Sequence, residues 1–246
     1  MVHWEELRPG GLRFAYADHL FKPGTDTFLL SSFPRLRPGL RVCDLCGGTG
    51  LLGLALLERQ RDLFVAEIEL VPEAAELART CGEANSLGDR FSVVNGDVRE
   101  AGRYFPAGSF DLAVCNPPYY VPGSGRAPSS ASLRAARSES FCTLEELTAA
   151  AARLVRWGGS FCLVHKPERL TDVLSALRQS ALEPKRLRFV CRRPELPPSL
   201  FLAEGRRGGK PGLRIEPPLV LETAEGRSTP ELDRIYFRAP AREPSP

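Results

Sequence analysis

The run Asn116–Pro117–Pro118–Tyr119 follows a short apolar segment, Asp111–Leu112–Ala113–Val114–Cys115. Prolines stiffen such a turn, so the side-chain oxygen of Asn116 and the carbonyl of Pro117 can be aimed at one planar NH2 group. Accepting both of its hydrogens leaves the nitrogen lone pair facing an electrophile and favours the pyramidal nitrogen of a transition state. That is catalysis by position and electrostatics, with no ionisable base required. Tyr119 adds an aromatic face on which a planar group can stack.

Upstream, Asp44–Leu45–Cys46–Gly47–Gly48–Thr49–Gly50 places a carboxylate at the end of a strand and glycines in the turn behind it. Such a turn lets the backbone press against a ligand at a helix N-terminus. Glu67 closes the next predicted strand, where a carboxylate can accept both ribose hydroxyls of a nucleoside cofactor. Asn95–Gly96–Asp97 closes the third and offers Asp97 as an acceptor for an adenine amino group. Three polar strand ends in succession converge on the carboxyl edge of an open sheet, the usual place for a ligand in such folds. A nicotinamide site stays possible on these features, although Gly47, Gly48 and Gly50 do not fit Gly-x-Gly-x-x-Gly. Cys43 and Cys46 form a Cys-x-x-Cys without a second pair or a histidine cluster at ligand spacing, so no metal site is expected.

The elements that must carry these residues alternate. Strands are predicted over 40–45, 63–67, 91–95, 110–115, 160–165, 186–191 and 200–203, with helices over 51–60, 72–85, 144–156 and 169–181. This pattern gives an α/β fold with a mostly parallel, doubly wound, seven-stranded sheet. Residues 1–38 read as an N-terminal cover, 39–222 as the main domain, and 223–246 as a C-terminal helix and tail. Thr143 and Glu146 spell a capping box, and Thr229–Pro230 starts a short helix. The stretch Leu219–Glu222 is a candidate edge strand. Residues 121–140 form a Gly/Ser/Pro/Arg-rich loop of a length that usually marks function or disorder.

With 43% apolar and 26% charged residues among 246, the chain is an ordinary globular one, not fibrous or disordered. The net charge of +3 is too small for a general polyanion binder, so any nucleic-acid reading must come from charge placement. Lys185, Arg186, Arg188, Arg192 and Arg193 cluster without an acid among them, and Arg206, Arg207 and Lys210 follow; phosphates are natural partners for such a run. The start Met1–Val2–His3–Trp4 lacks an export signal, no apolar run reaches membrane-span length, and seven cysteines read as reduced thiols. The expectation is a cytoplasmic monomer that binds RNA and no membrane.

The order Asp-x-x-Gly-x-x-Gly, acidic strand end, Asn-Gly-Asp, Asn-Pro-Pro-Tyr resembles the S-adenosylmethionine-dependent amino methyltransferases of the Rossmann-like class I fold. Phe21–Lys22–Pro23–Gly24–Thr25–Asp26–Thr27, Tyr119–Tyr120, Ala135–Ala136–Arg137–Ser138–Glu139 and the basic glycine-rich segment 204–212 resemble one bacterial family. That family methylates N6 of the adenine beside the anticodon of a valine tRNA. The resemblance implies S-adenosylmethionine as cofactor, held by Lys22, Gly24, Thr25, Asp26, Asp44, Cys46, Gly48, Gly50, Glu67, Ile68, Asp97, Val98 and Asn116. It implies catalysis by Asn116, Pro117, Pro118 and Tyr119 on an adenine flipped out of RNA. Cys46 stands where the family commonly has its first glycine. Two alternatives remain at this level: a protein glutamine-N5 methyltransferase, since the same turn holds any planar amide NH2, and a silent cofactor-binding scaffold subunit.

Overall fold

A computed structural model describes residues 1–20, 23–117 and 142–238. Lys22, Pro118, Tyr119, Tyr120, the loop over 121–140 and the tail from 239 lie outside the described residues. Strands β1 (Val2–Glu6) and β2 (Arg13–Ala17) form an antiparallel hairpin, and α1 (Thr25–Ser32) follows. Then come β3 (Arg41–Asp44), α2 (Leu51–Arg59), β4 (Phe64–Glu69), α3 (Pro72–Ala84), β5 (Phe91–Asn95), α4 (Ala101–Tyr104) and β6 (Phe110–Cys115). After the loop run α5 (Leu144–Leu154), β7 (Val155–His165), α6 (Leu170–Gln179), β8 (Leu182–Cys191), β9 (Pro198–Arg207), β10 (Arg214–Val220) and α7 (Pro230–Ile235).

The main sheet runs β10-β8-β9-β7-β6-β3-β4-β5. It is parallel except for β9, which lies antiparallel between β7 and β8. The sheet therefore has eight strands, one more than the seven expected. The additional strand is β10, which pairs parallel to β8 (Arg214↔Arg186 to Val220↔Cys191) and begins well before the candidate edge segment at Leu219. Pro217 and Pro218 are compatible with this position because an edge strand has one side without a ladder to complete.

Two apolar cores cover the faces, as a doubly wound sheet requires. One is shared by α2, Phe28, Leu29 and Leu30 of α1, Phe14 of the hairpin and Ile235 of α7, so the hairpin and α7 pack into the main domain. The other lies under α5 and α6 and includes Leu147, Leu154, Phe161 and Leu177. The capping box at α5 forms as expected: the Thr143 hydroxyl accepts the Glu146 N–H at 3.2 Å, and Glu146 Oε2 accepts the Thr143 N–H at 2.8 Å. It anchors the helix that begins where the long loop ends.

The basic cluster does not make one face. Arg186 is buried at 9% exposure, paired with Glu204 and Glu216, donating to the Phe33 carbonyl at 2.8 Å and lying 4.2 Å over the Phe33 ring. Arg188 makes a two-pronged pair with Glu231, and Arg192 and Arg193 share Glu222. Arg206 and Arg207 donate to the carbonyls of Gly158 and Val155, and Lys185 clamps the carbonyls of Lys210 and Gly212. Of the eight residues expected to meet RNA, Arg186 is buried, whereas Arg192, Arg206 and Lys210 are exposed. Carboxylates or carbonyls distant in sequence accept from Lys185, Arg186, Arg188, Arg192, Arg193, Arg206 and Arg207.

Candidate active site

Asp44, Glu69, Asn95, Asn116 and His165 end β3, β4, β5, β6 and β7 or directly follow them, so parallel pairing brings all five to one carboxyl edge. The glycine turn leads from β3 into α2. Gly50 caps the helix at φ +88°, a left-handed conformation that side-chain-bearing residues rarely adopt, and a Cβ there would also come within 3.2 Å of Ala78. The Gly48 N–H points at Glu69 Oε2 (2.8 Å), and the Gly47 N–H bonds the Ile68 carbonyl (3.1 Å).

Asp44 is fully buried. Its Oδ1 takes a long bond from the Cys46 N–H (3.4 Å), whereas Oδ2 has no partner among the described residues. Burial pushes its carboxyl up to about 7, with the Glu69 charge adding to the rise. An orphaned buried carboxylate oxygen beside a glycine turn suits a ligand that brings positive charge.

Glu67, read above as the ribose acceptor, lies two residues before the end of β4. It is fully buried beneath the glycine turn, and neither carboxyl oxygen has a partner among the described residues. A Cβ at Gly53 would come within 2.3 Å of its Oε1, so the side chain is wedged against α2. Burial, together with the charges of Asp44 and Glu69, raises its pKa well above the usual carboxylate range. Glu69 takes the strand-end position instead, with its oxygens on the Gly48 and Val71 N–H groups. Sequence reasoning ended β4 two residues early; the second acid of Glu67–Ile68–Glu69, on the same strand face, was the available signal.

Asp97, expected to meet an adenine amino group, follows β5 and pairs with Arg99. It caps the turn by accepting the Arg99 N–H, and both its oxygens pair with the Arg99 guanidinium, which holds its carboxyl below the usual range. Ile68 and Val98 are buried in the core. Gly24 and Thr25 open α1 and line a groove facing the hairpin and α7, with Asp26 half-buried beside them.

The Asn116 amide donates from Nδ2 to Thr27 Oγ1 at 3.1 Å, across 89 residues of sequence. This bond turns the carbonyl end, Oδ1, away from Thr27. Thr27 is 5% exposed and is a positioning residue that the sequence reading did not single out. Its replacement by valine is expected to lower kcat about five- to tenfold, the worth of one neutral hydrogen bond. Serine should restore the rate, and cofactor affinity should stay unchanged in both variants; steady-state kinetics with calorimetry checks this.

Pro117 is buried and, with Cys46, Cys142, Thr143 and His165, borders a cavity of about 20 Å³. Burial and the neighbouring Arg169 charge push His165 down to about 4, so the imidazole is neutral near pH 7, and its Nδ1 accepts the Lys166 N–H. His165, too, was absent from the expected site.

A family model described as the methyltransferase small domain matches residues 15–181. A tRNA1(Val) (adenine(37)-N6)-methyltransferase of Tolumonas auensis is 30% identical over 89% of this chain and 92% of its own length. The chain belongs to this methyltransferase family. A second tRNA1(Val) (adenine(37)-N6)-methyltransferase, from Porphyromonas gingivalis, is 31% identical over 86% of each chain. A crystal structure of a predicted O-methyltransferase from Agrobacterium tumefaciens superposes with a TM-score of 0.71. It covers 88% of this methyltransferase and 99% of that chain at 23% identity, and so shares the fold. The enzyme uses S-adenosylmethionine, and the residues present fit that group: an unpartnered Asp44 oxygen, a glycine turn at a helix start and Glu69 at the next strand end. Among the described residues no helix is long and apolar enough to cross a membrane.

Proposed function

We propose that this enzyme methylates N6 of an adenine in a tRNA, in the anticodon region, and that it acts as a monomer. The observation that carries the reading is the Asn116 side chain at the carboxyl end of β6, oriented by Thr27 and set beside the strand ends of Asp44 and Glu69. The two relatives reported above, at 30 and 31% identity over most of the chain, are named for that same reaction. When bound, S-adenosylmethionine supplies a methyl carbon made electrophilic by its sulfonium. Glu69 and the Gly48 N–H would hold its ribose side, and Asp44 would face its cationic end. Asn116 Oδ1 and the Pro117 carbonyl accept the two amino hydrogens of adenine, which localises the lone pair on nitrogen. Tyr119, outside the described residues, would supply the stacking face for a base turned out of its loop.

The raised Asp44 carboxyl sets a pH dependence. Below about 7 the cofactor-free protein keeps a proton on Asp44, so binding a cation first requires its release. Cofactor affinity is therefore expected to rise about tenfold per pH unit up to about 7 and to level off above it, with Asp44→Asn weak and flat across the range. The fold shows the opposite sign. A carboxyl raised on folding lends stability at low pH that is lost as pH climbs through about 7, and bound cofactor offsets that loss. Calorimetric titration and melting curves across pH 5 to 9 (about two units either side of the transition) test both.

To test the substrate, labelled S-adenosylmethionine is incubated with the enzyme and tRNA from a strain lacking this gene, in parallel with a release-factor protein. N6-methyladenosine in the tRNA digest is expected. Label in protein alone assigns the enzyme to amide methylation and overturns the reading.

A further inference from the structure

The edge of the sheet opposite the glycine turn carries the most exposed aromatic side chain among the described residues, Trp157, at 73% exposure. It lies near the start of β7, whose other end is His165 beside Pro117. The eight residues between them, at about 3.3 Å each, put the indole roughly 26 Å from the catalytic edge. The ring is seated, not loose. Gly208, at φ +67°, lies against its six-membered ring, and a Cβ there would come within 2.2 Å of Trp157 Cζ2. Gly158, at φ +80°, turns the chain immediately after it. Two glycines in left-handed conformations therefore fix the indole in place while most of its surface stays in solvent.

Guanidinium groups gather around it. Arg153 and Arg156 come from the end of α5 and the start of β7, and the antiparallel pairing Ser160↔Arg206 brings Arg206 and Arg207 of β9 alongside. Arg206 donates to the Gly158 carbonyl at 3.0 Å and Arg207 to that of Val155 at 2.6 Å. A carbonyl leaves the charge of a guanidinium uncompensated and most of its five N–H donors unused. Arg153 is exposed, and its guanidinium lies over Gly102, where a Cβ would come within 2.4 Å of Nε. The two carboxylates beside this group, Asp111 and Glu183, are taken by Arg156 and Arg178. Arg153, Arg206 and Arg207 have no ion-pair partner among the described residues.

Uncompensated arginines side by side repel one another until an anion covers them, so this surface suits a polyanion. Guanidinium matches phosphate with two parallel N–H bonds, and a seated, open indole offers a stacking face. A substrate confined to the catalytic edge has no use for charge at the far end of β7. A tRNA is long enough to reach it.

We infer that Trp157 with Arg153, Arg206 and Arg207 holds the phosphate backbone of the tRNA at a distance from the methylated adenine. Such contacts add affinity and orientation without reading sequence. The inference rests on the tRNA reading above, and it divides recognition between the two ends of β7: the catalytic corner takes one base, and the far end takes the body of the molecule.

The test compares whole tRNA with the anticodon stem-loop cut from it, in the full-length enzyme, by KM and by fluorescence anisotropy at several salt concentrations. The wild type is expected to bind whole tRNA at least about tenfold more tightly than the stem-loop, the worth of a few phosphate contacts. Arg153→Ala and Arg206→Ala should each raise KM for whole tRNA about three- to tenfold and flatten the slope of log affinity against log salt by about 0.9, the share of one phosphate in a duplex. Trp157→Ala should raise the same KM about tenfold with the slope unchanged, since it removes a stacking face and no charge. All three variants should keep kcat, cofactor affinity and KM for the stem-loop within about twofold, and the wild-type melting temperature, as surface substitutions do. Arg79→Ala serves as control: its side chain lies between α3 and β5, on the other flank of the sheet, and it should change neither KM. Unchanged KM for whole tRNA in the three variants, or equal wild-type affinity for tRNA and stem-loop, overturns the patch and leaves adenine methylation standing. Equal losses with both substrates mean that the patch acts through the fold, and likewise overturn the proposal. Self-association of the wild type that Trp157→Ala abolishes without a change in tRNA affinity assigns the patch to a second copy of the chain, again against the proposal. If the wild-type enzyme neither binds nor methylates tRNA, both readings fall.

Discussion

Asn116→Ala is expected to lower kcat by on the order of 10²–10³ while leaving S-adenosylmethionine affinity within about twofold. That is the loss seen when one preorganised hydrogen-bonding partner of a transition state is deleted. The amide is fixed by a bond from α1 and stands at the end of a buried strand, so its orientation is set before substrate arrives. Interactions that strengthen only as the amine becomes pyramidal act on the rate and not on cofactor binding. Asn116→Asp keeps an acceptor but replaces the Nδ2 donor with an oxygen against the Thr27 hydroxyl, and should recover only part of the rate. Rapid-quench single-turnover rates with calorimetric cofactor titration decide the matter. An equal loss of rate and cofactor affinity in the alanine variant would mean that Asn116 is structural.

The second large effect separates two acids that differ by two positions. Burial raises the Glu69 carboxyl, offset in part by the Val71 and Gly48 N–H groups; Glu69→Gln is expected to weaken cofactor binding roughly tenfold, because one acceptor oxygen is lost and a hydrogen bond is worth about 0.5–1.5 kcal/mol. Glu67→Gln is expected to change affinity less than about threefold and to leave the melting temperature unchanged or higher, since glutamine is isosteric with the acid and such deep burial disfavours a charge. The contrast follows from position. Glu69 lies against the Gly48 N–H at the strand end, whereas Glu67 is sealed beneath the turn with Gly53 closed over it. A larger loss from Glu67→Gln than from Glu69→Gln would return the ribose role to Glu67.

Much of the frame was legible in the chain because it rests on local rules. Asp44 through Gly50 had to be a strand, a turn and a helix, since a left-handed position at Gly50 and an apolar run from Leu51 leave few other conformations. Thr143 and Glu146 announced the start of α5 three residues apart, and both hydrogen bonds are present. Asn116 and Pro117 lie at the end of β6 because the preceding segment is apolar on both faces, the signature of a strand buried in a parallel sheet.

The surroundings of Glu67, Asp97 and Arg186 were not legible in the chain, because the fate of a charge depends on what packs against it. Arg186 reads as a phosphate ligand in a basic run. It became the centre of a buried cluster only because β9 inserts beside β8 and brings Glu204 against it. The eighth strand likewise gains its place by pairing with β8, not by its own residue preferences.

The order of strands, turns and the diproline corner, and with it the class of chemistry, was set by residue types at short range, where propensity and backbone geometry act within a few positions. Which carboxylate meets the cofactor and which hydroxyl steadies Asn116 were settled only by the folded chain. Each of these pairs residues tens to hundreds of positions apart, as Tyr236 with Thr25 does, and burial and partner geometry in three dimensions decide whether a polar group is solvated, paired or left waiting for a ligand.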